Sequence, residues 1–108
     1  MSTATSKEPL VDNALRDFLK QNDAEADFQT ICELAREHFP EMRSLTAKLE
    51  EDHDEPGWMR VFLEATIPES LSTDELLRQK GRYLDEFVRR LIPAHRQHFC
   101  LTTRRVAD

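Results

Sequence analysis

The sequence contains few of the residues that mark several large classes of protein. Its 108 residues include two glycines, five prolines and two cysteines. So little glycine and proline excludes collagen-like and low-complexity chains, and two cysteines are too few for a disulfide scaffold of this length. Because Gly57 and Gly81 are the only glycines, no glycine-rich loop is present that could cradle a phosphate.

Long apolar runs are also missing. No stretch approaches the roughly 18 apolar residues that a membrane-spanning helix needs, so the sequence predicts no membrane span. Residues 1–9 lack the apolar centre of a secretory signal. Cys32 and Cys100 lie inside apolar patterns that are typical of reduced, buried thiols. These features together predict a cytoplasmic protein.

The length of the chain suits one folded unit. By the scaling of surface with mass, a chain of 12.6 kDa buries about two-thirds of its surface on folding, which is enough for one core. Residues 1–8, with several serines and threonines, are predicted to form a disordered tail. Residues 9–108 are predicted to form a single α+β domain.

Charge is distributed unevenly along the chain, whose net charge is −6. Residues 1–75 carry 7 basic and 18 acidic side chains, and residues 76–108 carry 8 basic and 3 acidic ones, so the two parts are −11 and +5. Either the two parts complement each other within the fold, or the basic part docks an acidic partner or a phosphate. The acidic total argues against non-specific nucleic-acid binding, which depends on lysine and arginine.

Apolar residues recur at helical spacing in three segments. The first predicts a helix over about 9–20, and the second a helix that is capped by Asn22 or Asp23 and ends before Pro40. The third begins at a capping box, residues 72–75, and runs to about Ile92. We expect its buried stripe to contain Leu77, Leu84, Val88 and Leu91, widened by Leu76, Tyr83 and Phe87. Gly81 inside this helix is expected to permit the close approach of a neighbour.

Three further segments alternate with a period of two, which predicts strands over about 45–50, 58–67 and 99–106. The predicted order of elements is therefore α-α-β-β-α-β. A short hairpin should pair the first two strands, and the third should return beside the first. The expected fold is a two-layer α+β domain with a three-stranded antiparallel sheet, in the order 2-1-3, packed by helices.

The second strand carries large apolar groups on both faces. Trp58 and Phe62 alternate onto one face, whereas the residues expected to face the helices are Met59, Val61, Leu63 and Ile67. Either the first helix covers these two rings, or the sheet face docks another chain. The candidate partner-binding residues are Trp58, Arg60, Phe62, Arg89, Arg90 and Arg104.

One short segment offers metal-binding chemistry. His95, His98 and Cys100 supply two imidazoles and a thiol within six residues, which suits zinc, although a structural zinc site needs a fourth ligand. The acidic residues 50–55 resemble the start of a calcium-binding loop, but Leu63 occupies the position where that loop requires glutamate. No arrangement typical of a catalytic site is evident.

These observations favour a small, acidic, cytoplasmic protein-interaction or accessory module without enzymatic activity or cofactor. Its partner would be another protein chain, either a second copy or a protein that it regulates. One alternative is a small metal-binding domain or enzyme that uses His95, His98 and Cys100. A second is a binder of single-stranded nucleic acid, in which the basic C-terminal third supplies arginines beside stacking rings.

Overall fold

The computed structural model describes residues 8–108, so the predicted tail lies outside the described residues except for Glu8. Four helices and three strands follow in the order α1 (Asn13–Gln21), α2 (Glu25–His38), β1 (Ser44–Glu51), β2 (Met59–Pro68), α3 (Thr73–Arg90), α4 (Pro93–Arg96) and β3 (Phe99–Val106). The α+β class is confirmed. No helix formed by residues 8–108 is both long and apolar enough to cross a bilayer.

Side-chain caps fix where two of the helices begin. The carboxylate of Asp12 accepts a hydrogen bond of 2.9 Å from the backbone N–H of Leu15, so α1 begins later than the sequence predicts. The hydroxyl of Ser72 accepts a hydrogen bond of 3.1 Å from the N–H of Glu75, as the capping box predicts.

The predicted cap of α2 by Asn22 or Asp23 is wrong. The N-cap is Ala24, which makes no side-chain hydrogen bond. The amide of Asn22 instead donates a hydrogen bond of 2.9 Å to the carbonyl of Phe18, which closes the end of α1. Asp23 adopts a left-handed backbone conformation, with φ of 54°, and turns the chain from one helix into the next.

The strand order is β1-β2-β3, so the predicted antiparallel sheet with order 2-1-3 is wrong. β1 and β2 form the expected antiparallel hairpin, with Leu45 opposite Ala65. β3 pairs with β2 in parallel, with Leu101 beside Leu63. The cause is α3, whose 18 residues are roughly 27 Å long and return the chain to the end of the sheet where β2 begins. β3 therefore starts beside the start of β2.

The core lies between one face of this mixed sheet and the helices. The predicted inward face of β2 is confirmed from Val61 to Ile67, since Val61, Leu63, Ala65 and Ile67 are at most 1 % exposed. Met59, at the start of the strand, is only partly buried. α2 packs against α1 and α3, and α1 also contacts β1. The helical members of the core include Leu15, Phe28, Ile31, Leu34, Phe39 and Tyr83.

The predicted buried stripe of α3 is largely wrong. Leu77, Leu84 and Val88 are exposed, at 59 %, 54 % and 52 %, whereas Leu76 and Tyr83 are 7 % and 4 % exposed. Both sets have helical spacing, so periodicity alone does not choose between them. Burial of the set that includes Tyr83 places an aromatic ring in the core. The centroid of this ring lies 5.7 Å from that of Phe39 and 5.9 Å from that of Phe87. Leu91, just past the helix, is buried as expected.

Adjacent leucines in α3 provide a matched test of this orientation. We expect Leu76→Ala to lower the free energy of unfolding by about 2–5 kcal/mol, because it leaves a cavity in the core. Leu77→Ala should change it by less than about 0.5 kcal/mol, because the side chain is exposed. Urea denaturation at dilute protein concentration measures both, and equal losses would contradict the orientation described here.

Candidate functional site

The face of the sheet that points away from the helices is mainly polar. Ser44, Thr46, Lys48 and Glu50 on β1 pair in register with Thr66, Glu64, Phe62 and Arg60 on β2. Three of these rows continue on β3, with Arg104, Thr102 and Cys100. The centre of the face is a shallow depression of about 470 Å³. Phe62 is half-buried there, between Lys48 and Cys100.

Ion pairs within the chain already engage two of the predicted partner-binding arginines. Arg60 Nε lies 2.5 Å from Asp52 Oδ2, and Arg104 Nε lies 3.1 Å from Glu64 Oε1. The pKa of Asp52 is lowered first by a hydrogen bond of 2.7 Å from the N–H of Asp54, and further by Arg60. The Arg104–Glu64 pair is exposed and contributes little to stability, whereas the Arg60–Asp52 pair is partly buried. Both pairs offset charge that a ligand would meet.

The structure separates the two aromatic rings that the sequence places on one face. Trp58 precedes β2, so the alternation of the strand does not extend to it. Its indole stacks on the imidazole of His98, with ring centroids 4.5 Å apart and planes 11° apart. The imidazole of His98 also makes a T-shaped contact with the ring of Phe18 in α1, with ring centroids 5.3 Å apart. His98 thus lies in contact with both Phe18 of α1 and Trp58, whereas Phe62 lines the depression on the polar face of the sheet.

The three candidate metal ligands do not converge. His95 Nδ1 lies 2.6 Å from Asp27 Oδ2 on α2, and His98 Nδ1 lies 3.1 Å from the carbonyl oxygen of Met59. Cys100 lies beside Phe62 in the sheet. Among residues 8–108, no group of three histidine, cysteine, aspartate or glutamate side chains is placed to hold a metal ion. A metal site here stays an untested prediction, and it would have to displace these contacts.

The remaining two candidates, Arg89 and Arg90, lie in the last turn of α3 and are exposed. Their charges suit the negative end of that helix. Arg89 Nη1 contacts Glu86 Oε2 at 3.0 Å. Both arginines belong to the helical layer, so the six predicted partner-binding residues do not form one surface.

Three of the five large apolar side chains that are exposed among residues 8–108 lie on α3. We call this surface the α3 stripe: Leu77, Gly81, Leu84 and Val88. These residues are spaced i, i+4, i+7 and i+11, so they follow one another along a single side of the helix. Its three large side chains are each more than half exposed. Ile92 extends the apolar surface beyond the end of the helix and is 51 % exposed. Sequence reasoning missed this surface because it assigned these leucines to the core.

A groove connects the α3 stripe to the edge of the sheet. Its volume is about 210 Å³, and all of its lining residues are apolar or aromatic: Tyr83, Leu84, Phe87, Phe99, Cys100 and Leu101. In the part of the chain that the structure describes, β3 pairs with β2 on one side and with no strand on the other. Such an edge offers backbone N–H and C=O groups for pairing with another strand.

The two cysteines have different surroundings. Cys32 is 2 % exposed in the core, and burial raises the pKa of its thiol to about 11. Cys100 is partly exposed at the groove. Both thiols are free, and the burial of Cys32 removes it from the groups that could act as nucleophiles.

Comparison with known proteins adds no functional information to this geometry. No family model matches the chain, and no curated protein and no solved structure matches it. The function must therefore be inferred from the surfaces themselves, among which the α3 stripe and its groove are predominantly apolar.

Thiol labelling provides a direct check on the two cysteine environments. At pH 8 we expect a thiol reagent to modify Cys100 in the native protein and to leave Cys32 unmodified, since roughly one Cys32 thiol in a thousand is then ionised. Cys32→Ser and Cys100→Ser variants separate the two signals, and urea should make both thiols reactive. Equal labelling rates in the native protein would contradict the burial of Cys32.

Proposed function

We propose that this chain is a protein-interaction module that binds another polypeptide through the α3 stripe. The observation that carries the proposal is the exposure of Leu77, Leu84 and Val88 along one side of a helix whose other side already fills the core. Burying such a side chain completely contributes about 1.5–3 kcal/mol. Contiguous apolar surface of this kind is typical of binding sites on proteins that are otherwise polar outside.

The core formed by the described residues does not include these side chains. Leu76 and Tyr83 supply the contact between α3 and the core, and the three large residues of the α3 stripe point elsewhere. Gly81 costs about 1 kcal/mol of helix stability relative to alanine. Among residues 8–108, nothing beyond the neighbouring backbone of α3 lies within 4 Å of the position that a Cβ atom would take there, so packing does not require a glycine at this position. The exposed apolar side chains and Gly81 are both explained if another chain covers this side of α3.

The neighbouring groove and the β3 edge support the same proposal. They provide an apolar channel and a row of backbone groups beside the α3 stripe. Helix packing and strand addition are two common ways in which proteins recognise other polypeptides. The proposed partner is thus a protein chain, either self or foreign, and the cytoplasmic location that the cysteines suggest remains a prediction.

Site-specific photo-crosslinking tests the proposal. A photoreactive phenylalanine analogue at Leu84 should give a crosslinked product that contains a second polypeptide when the chain is produced in its native cells. The same analogue at Gln29, an exposed position on α2, is the matched control and should give at most a trace. Absence of any product from Leu84, or equal products from both positions, would contradict the proposed function.

A further inference from the structure

We infer that the polypeptide bound by the α3 stripe is a second copy of this chain, with the two α3 helices antiparallel about a two-fold axis. The inference rests on the proposed function and names its partner. It follows from three observations: the sizes of the residues along the stripe, the order of charges beside it, and the position of the β3 edge.

The α3 stripe is self-complementary in size when read in opposite directions. If Leu84 lies opposite Gly81 of a second copy, two-fold symmetry places Gly81 opposite Leu84 of that copy. The same register places Leu77 opposite Val88 of the second copy, and Val88 opposite Leu77 of that copy. Each large leucine at the centre then meets a glycine, which lets the helix axes approach closely. In the described part of the chain, no other side chain lies within 4 Å of the Cβ position at Gly81, so the space next to this glycine is open to a second copy.

Charges along the solvent-facing flank of the stripe are also self-complementary. In chain order they are Asp74, Arg78, Asp85 and Arg89, all of them exposed. The register set by Leu84 and Gly81 leaves Arg78 offset from Asp85 of the second copy by roughly 3 Å along the axis, and Asp74 from Arg89 by the same amount. Arginine side chains reach across such an offset. If the two α3 helices were parallel, this flank would lie against the opposite flank of the second copy, and neither ion pair could form.

The existing ion pairs on α3 do not prevent this arrangement. Arg78 contacts Glu75, and Arg89 contacts Glu86, both as exposed pairs one turn apart. A second carboxylate from the other copy can join each arginine. α3 carries five basic and four acidic side chains, so the net charge of −6 on the whole chain does not oppose contact at this helix.

The same two-fold axis would also bring the outer edge of β3 into the interface. Leu84 shares the groove with Leu101, so the stripe side of α3 overhangs the outer edge of β3. Pairing α3 with its copy about an axis roughly perpendicular to the sheet brings the two β3 edges face to face and antiparallel. A stable dimer typically buries about 800 Å² per partner. The adjoining edge and groove supply additional surface.

Sedimentation equilibrium with one designed variant tests the inference. The wild-type chain should sediment at twice its mass of 12.6 kDa. Gly81→Gln should weaken the dimer at least tenfold, because it fills the space that Leu84 of the second copy needs. It should not lower the melting temperature of the monomer, because glutamine is the better helix former and its Cβ atom would meet nothing within 4 Å among residues 8–108 beyond the neighbouring backbone of α3. Arg82→Gln, a neighbouring substitution outside the stripe, is the control and should leave the mass unchanged.

A charge exchange tests the antiparallel register separately. Arg78→Asp should weaken the dimer, since the new carboxylate would face Asp85 of the second copy. Adding Asp85→Arg to that variant should restore most of the affinity, because the exchanged pair again carries opposite charges. Failure of the double variant to recover would overturn the register.

The possible failures are distinguishable. A wild-type chain that stays monomeric at millimolar concentration overturns the dimer, and so does a dimer that Gly81→Gln leaves intact. If Leu84 still crosslinks to a foreign polypeptide in cells, the proposed function survives with a different partner. If neither self-association nor crosslinking occurs, both proposals fail.

Discussion

A single helix carries two apolar stripes and can bury only one of them against the sheet. Leu76 and Tyr83 occupy the core, where Tyr83 meets the rings of Phe39 and Phe87. The second stripe, centred on Leu84, is consequently left in solvent. The surface to which we assign a function is therefore a direct result of how the core is filled, since the burial of one set of side chains forces the exposure of the other.

The parallel crossover places this exposed stripe at an edge of the sheet. Because α3 spans the length of β2, β3 returns parallel to β2 and becomes an outer strand. α3 packs on α2 with one side and overhangs β3 with the other, so the stripe, the groove and the unpaired edge adjoin one another. An antiparallel sheet of order 2-1-3 would have made the second strand an edge and given this helix different neighbours.

The opposite face of the sheet shows why exposed charge and a lone aromatic ring are weaker evidence for binding. Arg60 and Arg104 are each held by a carboxylate of the same chain, and Phe62 is the only aromatic ring among the register rows of that face. A ligand would have to replace these ion pairs. A partner that binds the α3 stripe breaks no ion pair of this kind at its leucine and valine side chains, because covering them releases only water.

The sequence by itself determined the class of the fold and the inward face of β2, because alternation through Val61, Leu63 and Ile67 is a local property of a strand. It also determined the start of α3, because a capping hydroxyl acts on an N–H three residues away. Tertiary structure alone decided the strand order, the contacts of Trp58 and the side of α3 that is buried. These depend on partners distant in sequence, such as Phe39 for Tyr83 and His98 for Trp58. When two stripes share one helical period, only the shape of the core selects between them.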